Sequence, residues 1–272
     1  MRKAKTRPVP KKLSERRSWK GRGDISHYAR KYVEFMGGSK ALQEQATIAG
    51  KSHDRIRYPT EKVAHEGASG KFMQGLFEKR YGAKAAKSMG RAIQLHGTAP
   101  GPKRSGKEIV REGLFNADKF FEANGGYIGF RRPMFLGERK DRQEEAKRLG
   151  LDLKKPEDVQ EAAVKFTLDE TRIRISKFSD LSKIPKELHG FVKYQVAWQE
   201  KLKKGLEKRR PWAVNLVTVL FTEGLKKHPR ALDEVIMEYE PVGRVDADFK
   251  KEALRYFSGD LWKEFTKRVK RK

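Results

Sequence analysis

The 272-residue chain contains no cysteine. Disulfide frameworks, thiolate zinc sites and cysteine nucleophiles are therefore excluded, and a chain without thiols suits a reducing interior. Acidic residues are scarce beside basic ones: 36 Asp and Glu face 63 Lys and Arg, a formal excess of +27. Long apolar runs are missing as well. The most apolar stretch, Trp212 to Phe221, is too short to cross a bilayer and contains Asn215 and Thr218. Residues 1–24 lack the apolar run of a secretory signal, so no signal peptide is expected. No repeat of about 20–50 residues recurs, which argues against a solenoid. These absences predict a soluble intracellular protein, free or inside a virion or organelle.

What the chain does have is positive charge on a sequence able to fold. Hydrophobic residues make up 37% and aromatics 10%, enough to bury a core, while charged residues reach 36%. An excess of +27 is far beyond the few charges that keep a domain in solution. A compact body this positive repels itself unless a polyanion neutralises it. Nucleic acid suits that charge best, because binding releases its condensed counterions. An anionic membrane surface is the competing partner.

Counted to Lys31, the N-terminal segment holds twelve basic and two acidic residues. With two prolines and few apolar side chains, residues 1–24 are expected to be a basic arm that orders only on its partner. Residues 25–150 read as a Gly-rich, basic helical region and 151–272 as a helical bundle domain, with the boundary near Leu151. Within the middle region the spacing predicts helices over Ile25–Gly37, capped by Asp24, and over Ser39–Ala49, ended by Gly50. A loop follows to Gly70. A helix from Lys71 to His96 is weakened by Gly75, Gly82 and Gly90 and can break in two. After a basic loop at 98–106, helices are expected over 107–123, over 138–149 and from Pro156 through Phe166.

Two strand signals stand out: Tyr127–Phe135, a short strand or extended crossing, and Thr171–Ser176, whose alternation would turn Arg172 and Arg174 outward. Helical spacing returns at 186–208, with a dense Lys/Arg face, and at 212–225, 230–239 and 246–269. The fold class expected is mainly α. It has a helical bundle in the C-terminal third, a loop-rich basic N-terminal half and at most one or two short strands.

No motif completes a catalytic centre. Gly101 to Lys107 matches the spacing of a phosphate loop, but Glu108 stands where a hydroxyl should hold magnesium, and no strand precedes it. Asp118 with Glu138 and Lys140 has the order of a metal-dependent nuclease, in which two carboxylates hold magnesium and the lysine steadies the attacking water. That pattern belongs on adjacent strands, whereas Glu138 opens a charged helix. His53-Asp54 and His65-Glu66 are adjacent pairs that share no helix face, and no metal set or Ser elbow is present. No cofactor is implied.

The broader signal is basic residues interleaved with aromatics. It recurs at Arg16, Arg17, Trp19 and Lys20, at Tyr28, Arg30, Lys31 and Tyr32, at Arg55, Arg57 and Tyr58, and at Phe130, Arg131 and Arg132. Cations meet phosphates, and aromatic or guanidinium planes stack on unpaired bases. Tyr32 and Phe35 read as core, whereas Trp19, without apolar neighbours, reads as a partner contact. Lys103, Arg104 and Lys107 on flexible glycines would drape over a backbone.

The expectation is a non-catalytic, nucleic-acid-binding component of a nucleoprotein assembly, either a viral or phage nucleocapsid or a ribosome-type particle. Its partners would be RNA or DNA and further protein subunits, with the 212–225 helix and the terminal arms available for self-association. The alternative is a nuclease or replication factor acting through Asp118, Glu138 and Lys140. A membrane-surface role for helix 186–208 fits less well, since Gln195 and Gln199 interrupt its apolar face.

Overall fold

A computed structural model describes residues 5–6, 25–53, 56–57, 65–96, 108–121, 125–184 and 186–269. The protein is mainly α. Thirteen α-helices run through the described residues: α1 Ile25–Phe35, α2 Lys40–Ser52, α3 His65–Tyr81, α4 Ala83–Gln94, α5 Ile109–Asn116, α6 Gly125–Glu138, α7 Lys140–Arg148, α8 Pro156–Ser179, α9 His189–Glu207, α10 Pro211–Leu225, α11 Leu232–Glu238, α12 Arg244–Ser258 and α13 Leu261–Arg268. Two two-residue strands, β1 Lys5–Thr6 and β2 Ile56–Arg57, pair antiparallel, so part of the N-terminal arm has a partner within the chain.

Several boundaries follow from local chemistry. Ser39 caps α2 by accepting a hydrogen bond from the Leu42 amide at 3.4 Å, and α2 runs past Gly50 to Ser52. Gly82, at φ +80°, breaks the 65–94 segment into α3 and α4, a conformation that needs a residue without Cβ. Pro156 and Pro211 each open a helix where the missing amide costs nothing.

Both strand expectations are overturned. Thr171–Ser176 is the last third of α8. Its period-two pattern is accommodated because the arginines pair along the helix, Arg174 with Glu170 at 3.2 Å and Arg172 with Asp169 at 4.0 Å. The Thr171 hydroxyl donates to the Thr167 carbonyl at 2.7 Å, and Ile173 is left exposed. Tyr127–Phe135 lies in α6. That helix is buried on nearly every side, including Tyr127, Ile128, Phe130, Pro133, Met134 and Leu136, so no 3.6-residue period marks it.

The chain forms two compact units. The first comprises residues 1–122, 182–187 and 258–267. Its core joins Tyr28, Tyr32 and Val33 of α1 with Met89 and Ile93 of α4, Leu114 of α5 and Phe265 of α13. Tyr32 meets Phe265 edge-on at 6.1 Å, and Phe35 meets it at 5.4 Å. After α5 the chain continues as one π-helical turn, Ala117–Phe121.

The second unit comprises residues 123–181, 188–257 and 268–272. Leu151 lies inside it, between α7 and α8. Its core centres on α10, whose Leu216, Val217, Leu220 and Phe221 are fully buried with Phe130, Phe166 and Phe249. The buried side of α10 is thus filled from within this unit, while Val219 stands 42% exposed on the same helix. Helices α6 and α10 cross so closely that a Cβ on Gly224 would stand 2.0 Å from the Met134 carbonyl oxygen.

Candidate nucleic-acid interface

A cationic surface lies on α9. Val192, Gln195, Gln199, Leu202 and Leu206 are buried on one side of this helix. The opposite side exposes Lys193, Lys201, Lys204 and the C-cap residue Lys208. At ~100° per residue these four lysines fall within roughly 80° of arc, and at 1.5 Å per residue they extend over about 22 Å. Ala197, small and exposed, lies in the same arc between Lys193 and Lys201. Two acids border the arc, and each is paired elsewhere, Glu200 with Lys203 at 2.7 Å and Glu207 with Arg172 at 2.9 Å. None of the four lysines takes part in an ion pair among the described residues.

Packing fixes how this face is presented. Tyr194 donates its hydroxyl to the buried Glu252 carboxylate on α12, and the Arg268 guanidinium lies 3.9 Å from the Tyr194 ring centroid. Burial, followed by the Glu252 carboxylate, pushes the Tyr194 phenol well above its ordinary pKa, so it remains a donor. Trp198 packs edge-on against Phe249 at 4.9 Å, with the Lys201 ammonium 5.2 Å from its ring centroid.

The residues singled out from sequence are dispersed. Arg16, Arg17, Trp19, Lys20, Arg55, Lys103, Arg104 and Lys107 lie outside the described residues, and Arg57 is on β2. Arg30 is exposed on α1, whereas Lys31 pairs with Glu34 at 2.9 Å. Arg132 and Arg174 share Glu170, at 3.1 and 3.2 Å, and Arg131 stands 5.9 Å from the Tyr127 ring centroid. The aromatics Tyr28, Tyr32 and Phe130 are fully buried, so they stack in the core and not on bases. Although the Lys/Arg face of 186–208 is legible in the sequence, the identity of its unpaired members is not. That depends on which carboxylates other helices bring up.

The nuclease pattern has a different setting from the one it needs. Glu138 ends α6 and Lys140 opens α7, both exposed in the second unit, while Asp118 sits on the π-helical turn of the first. The Asp118 carboxylate is paired with the Lys119 ammonium and lies 3.9 Å from His53 Nε2. The phosphate-loop match lies outside the described residues, except that Glu108 is bound by Arg91 and Arg111.

Sequence reading missed a buried polar cluster around Asp118. His53 and His96 meet edge to face with centroids 5.1 Å apart. Each places Nδ1 at 2.7 Å from a carbonyl oxygen, of Gly50 and Ile93 respectively, which assigns both rings as Nδ1–H donors. Among the described residues no group of three or more His, Cys, Asp or Glu is arranged to hold a metal ion. No helix among them is long and apolar enough to cross a membrane. No protein-family model, curated protein or solved structure matches the chain.

Proposed function

We propose that this protein is a non-catalytic, nucleic-acid-binding structural component of a nucleoprotein assembly, gripping mainly the phosphate backbone. The lysine face of α9, in a chain with a formal charge of +27, is the observation that carries this reading. Four exposed ammonium groups in one line, none in an ion pair among the described residues, form a site for a polyanion. A bilayer is the poorer match, because the apolar side of α9 is occupied by the core of its own unit and none of it is free to enter lipid.

In this reading the bundle of the C-terminal third presents the lysines, and the basic N-terminal half follows the polymer. Arg16, Arg17, Trp19 and Lys20, together with Lys103, Arg104 and Lys107, add contacts. The particle is a viral or phage nucleocapsid or a ribosome-type assembly, with other protein subunits alongside.

The test is fluorescence anisotropy with a labelled oligonucleotide across a salt series. If about five to eight phosphates are engaged, affinity falls about a thousandfold or more between 50 and 200 mM salt. Indifference to both RNA and DNA at the lowest salt overturns the proposal.

A further inference from the structure

We infer that the α9 lysine face is built for a double helix, held through its phosphates without regard to sequence; this rests on the nucleic-acid reading above. Proteins that hold single strands set aromatic rings at the surface for bases to stack on. The α9 face has none. Tyr194, next to Lys193, is half-buried beneath the Arg268 guanidinium, and Trp198 is half-buried against Phe249. Among the residues whose burial the structure describes, Phe72, on α3 of the first unit, is the exposed large aromatic, at 41% exposure.

The geometry of the cations points the same way. A regular helix anchored by its buried side holds Lys193, Lys201, Lys204 and Lys208 in a fixed line of about 22 Å. A duplex carries about one negative charge per 1.7 Å of axis, so a rod of matching length offers roughly a dozen phosphates in fixed positions. Because a single strand has no such fixed row, the rigidity of α9 confers no advantage on it. Ala197, between Lys193 and Lys201, leaves the ground between these two lysines low, which lets a phosphate backbone approach the helix closely.

Base reading is not provided for. Bidentate recognition of base edges uses Arg or Lys on guanine and Asn or Gln on adenine, and the planar guanidinium is the more directional of the two cations. The glutamines of α9, Gln195 and Gln199, are buried on the other side, and Arg172 beside the face is engaged with Glu207 and Asp169. Ammonium groups on flexible stems contact phosphate as point charges and carry no sequence information.

The experiment compares three full-length proteins: the parent, a ladder variant (Lys193→Gln, Lys201→Gln, Lys204→Gln and Lys208→Gln) and a control with the same charge loss at exposed lysines elsewhere (Lys40→Gln, Lys71→Gln, Lys155→Gln and Lys251→Gln). Each is titrated into a mixed-sequence DNA duplex of about 20 base pairs and into its separated strands over a salt series. The parent should bind duplex about tenfold or more tighter than either strand. The ladder variant should lose that preference, and its salt slope should fall by about three to four. The control should keep the preference.

Equal or tighter binding of the single strands overturns the inference, as does a control that loses as much as the ladder variant; in both cases the nucleic-acid reading stands. Failure of the parent to bind duplex or strand at low salt removes that reading as well. Circular dichroism verifies folding of each variant, and if the quadruple ladder variant does not fold, Lys201→Gln and Lys204→Gln singly each lower the slope by about one.

Discussion

His53 and His96 stand edge to face in the first unit, their ring centroids 5.1 Å apart, each donating Nδ1–H to a carbonyl oxygen of its own preceding turn. Burial lowers the His96 pKa from 6.5 to about 4; the Asp118 carboxylate works against that shift, while His53 adds to it.

A histidine whose folded pKa is depressed contributes stability that is complete above its unfolded value and is lost as pH falls. The urea midpoint should therefore hold steady above pH 6.5 and decline between there and about 4. The loss attributable to His96 is at most about 3 kcal/mol. A His96→Gln variant should show a shallower decline over the same window, and an unchanged one would remove His96 as its source.

Asp118 raises the His96 pKa and pairs with Lys119. Removing its charge in Asp118→Asn should push the His96 titration, followed by NMR, to still lower pH. Stability at neutral pH should drop by about 1–3 kcal/mol as the Lys119 ammonium loses its partner. An upward movement of the His96 titration would contradict the geometry.

Glu223 is buried near the C-terminal end of α10, where the helix dipole disfavours an anion. Burial alone would raise its pKa. Instead the Arg230 amide at 3.0 Å, the Lys226 ammonium at 2.7 Å and the Arg230 guanidinium at 3.1 Å hold it at about 2. A depressed carboxyl stabilises the fold above its unfolded pKa, so this contribution should disappear as pH falls from about 4.5 to about 2. Glu223→Gln should cost about 1.5–3 kcal/mol at neutral pH and flatten that acid limb. Thermal unfolding at pH 7 and pH 3 distinguishes the two effects.

Glycine-to-alanine changes should have opposite signs at two helical positions. At Gly75 on α3 nothing stands within 4 Å of an added Cβ, so Gly75→Ala should stabilise by about 1 kcal/mol. At Gly224 the added Cβ meets the Met134 backbone oxygen, which can yield only if α6 and α10 separate. Gly224→Ala should destabilise by about 2 kcal/mol or more despite its better helix propensity. Denaturant midpoints of the two variants test this directly, and a stabilised Gly224→Ala would show that the crossing is loose.

Where the chain alternates a wet and a dry side, its structure can be read residue by residue. The α9 spacing of Val192, Gln195, Gln199, Leu202 and Leu206, the Ser39 cap of α2, Gly82 between α3 and α4, and the prolines opening α8 and α10 are all visible without coordinates. Signals failed where a segment has no wet side or where two periods compete. The α6 segment is buried around most of its circumference, and in the last third of α8 Arg and Ile alternate as in a strand while the arginines pair at helical spacing.

The sequence by itself determined that this protein is mainly helical, strongly cationic and without a thiol, because those properties are local or additive. Only the tertiary structure decided which cations are neutralised and which polar groups are buried together. Among the described residues Lys193, Lys201, Lys204 and Lys208 form no ion pair while Arg132, Arg172 and Arg174 do, and His53, His96 and Asp118 meet although distant in the chain. The reason is physical: a charge is compensated by whatever comes within a few ångströms of it, and for residues far apart in sequence packing sets that distance.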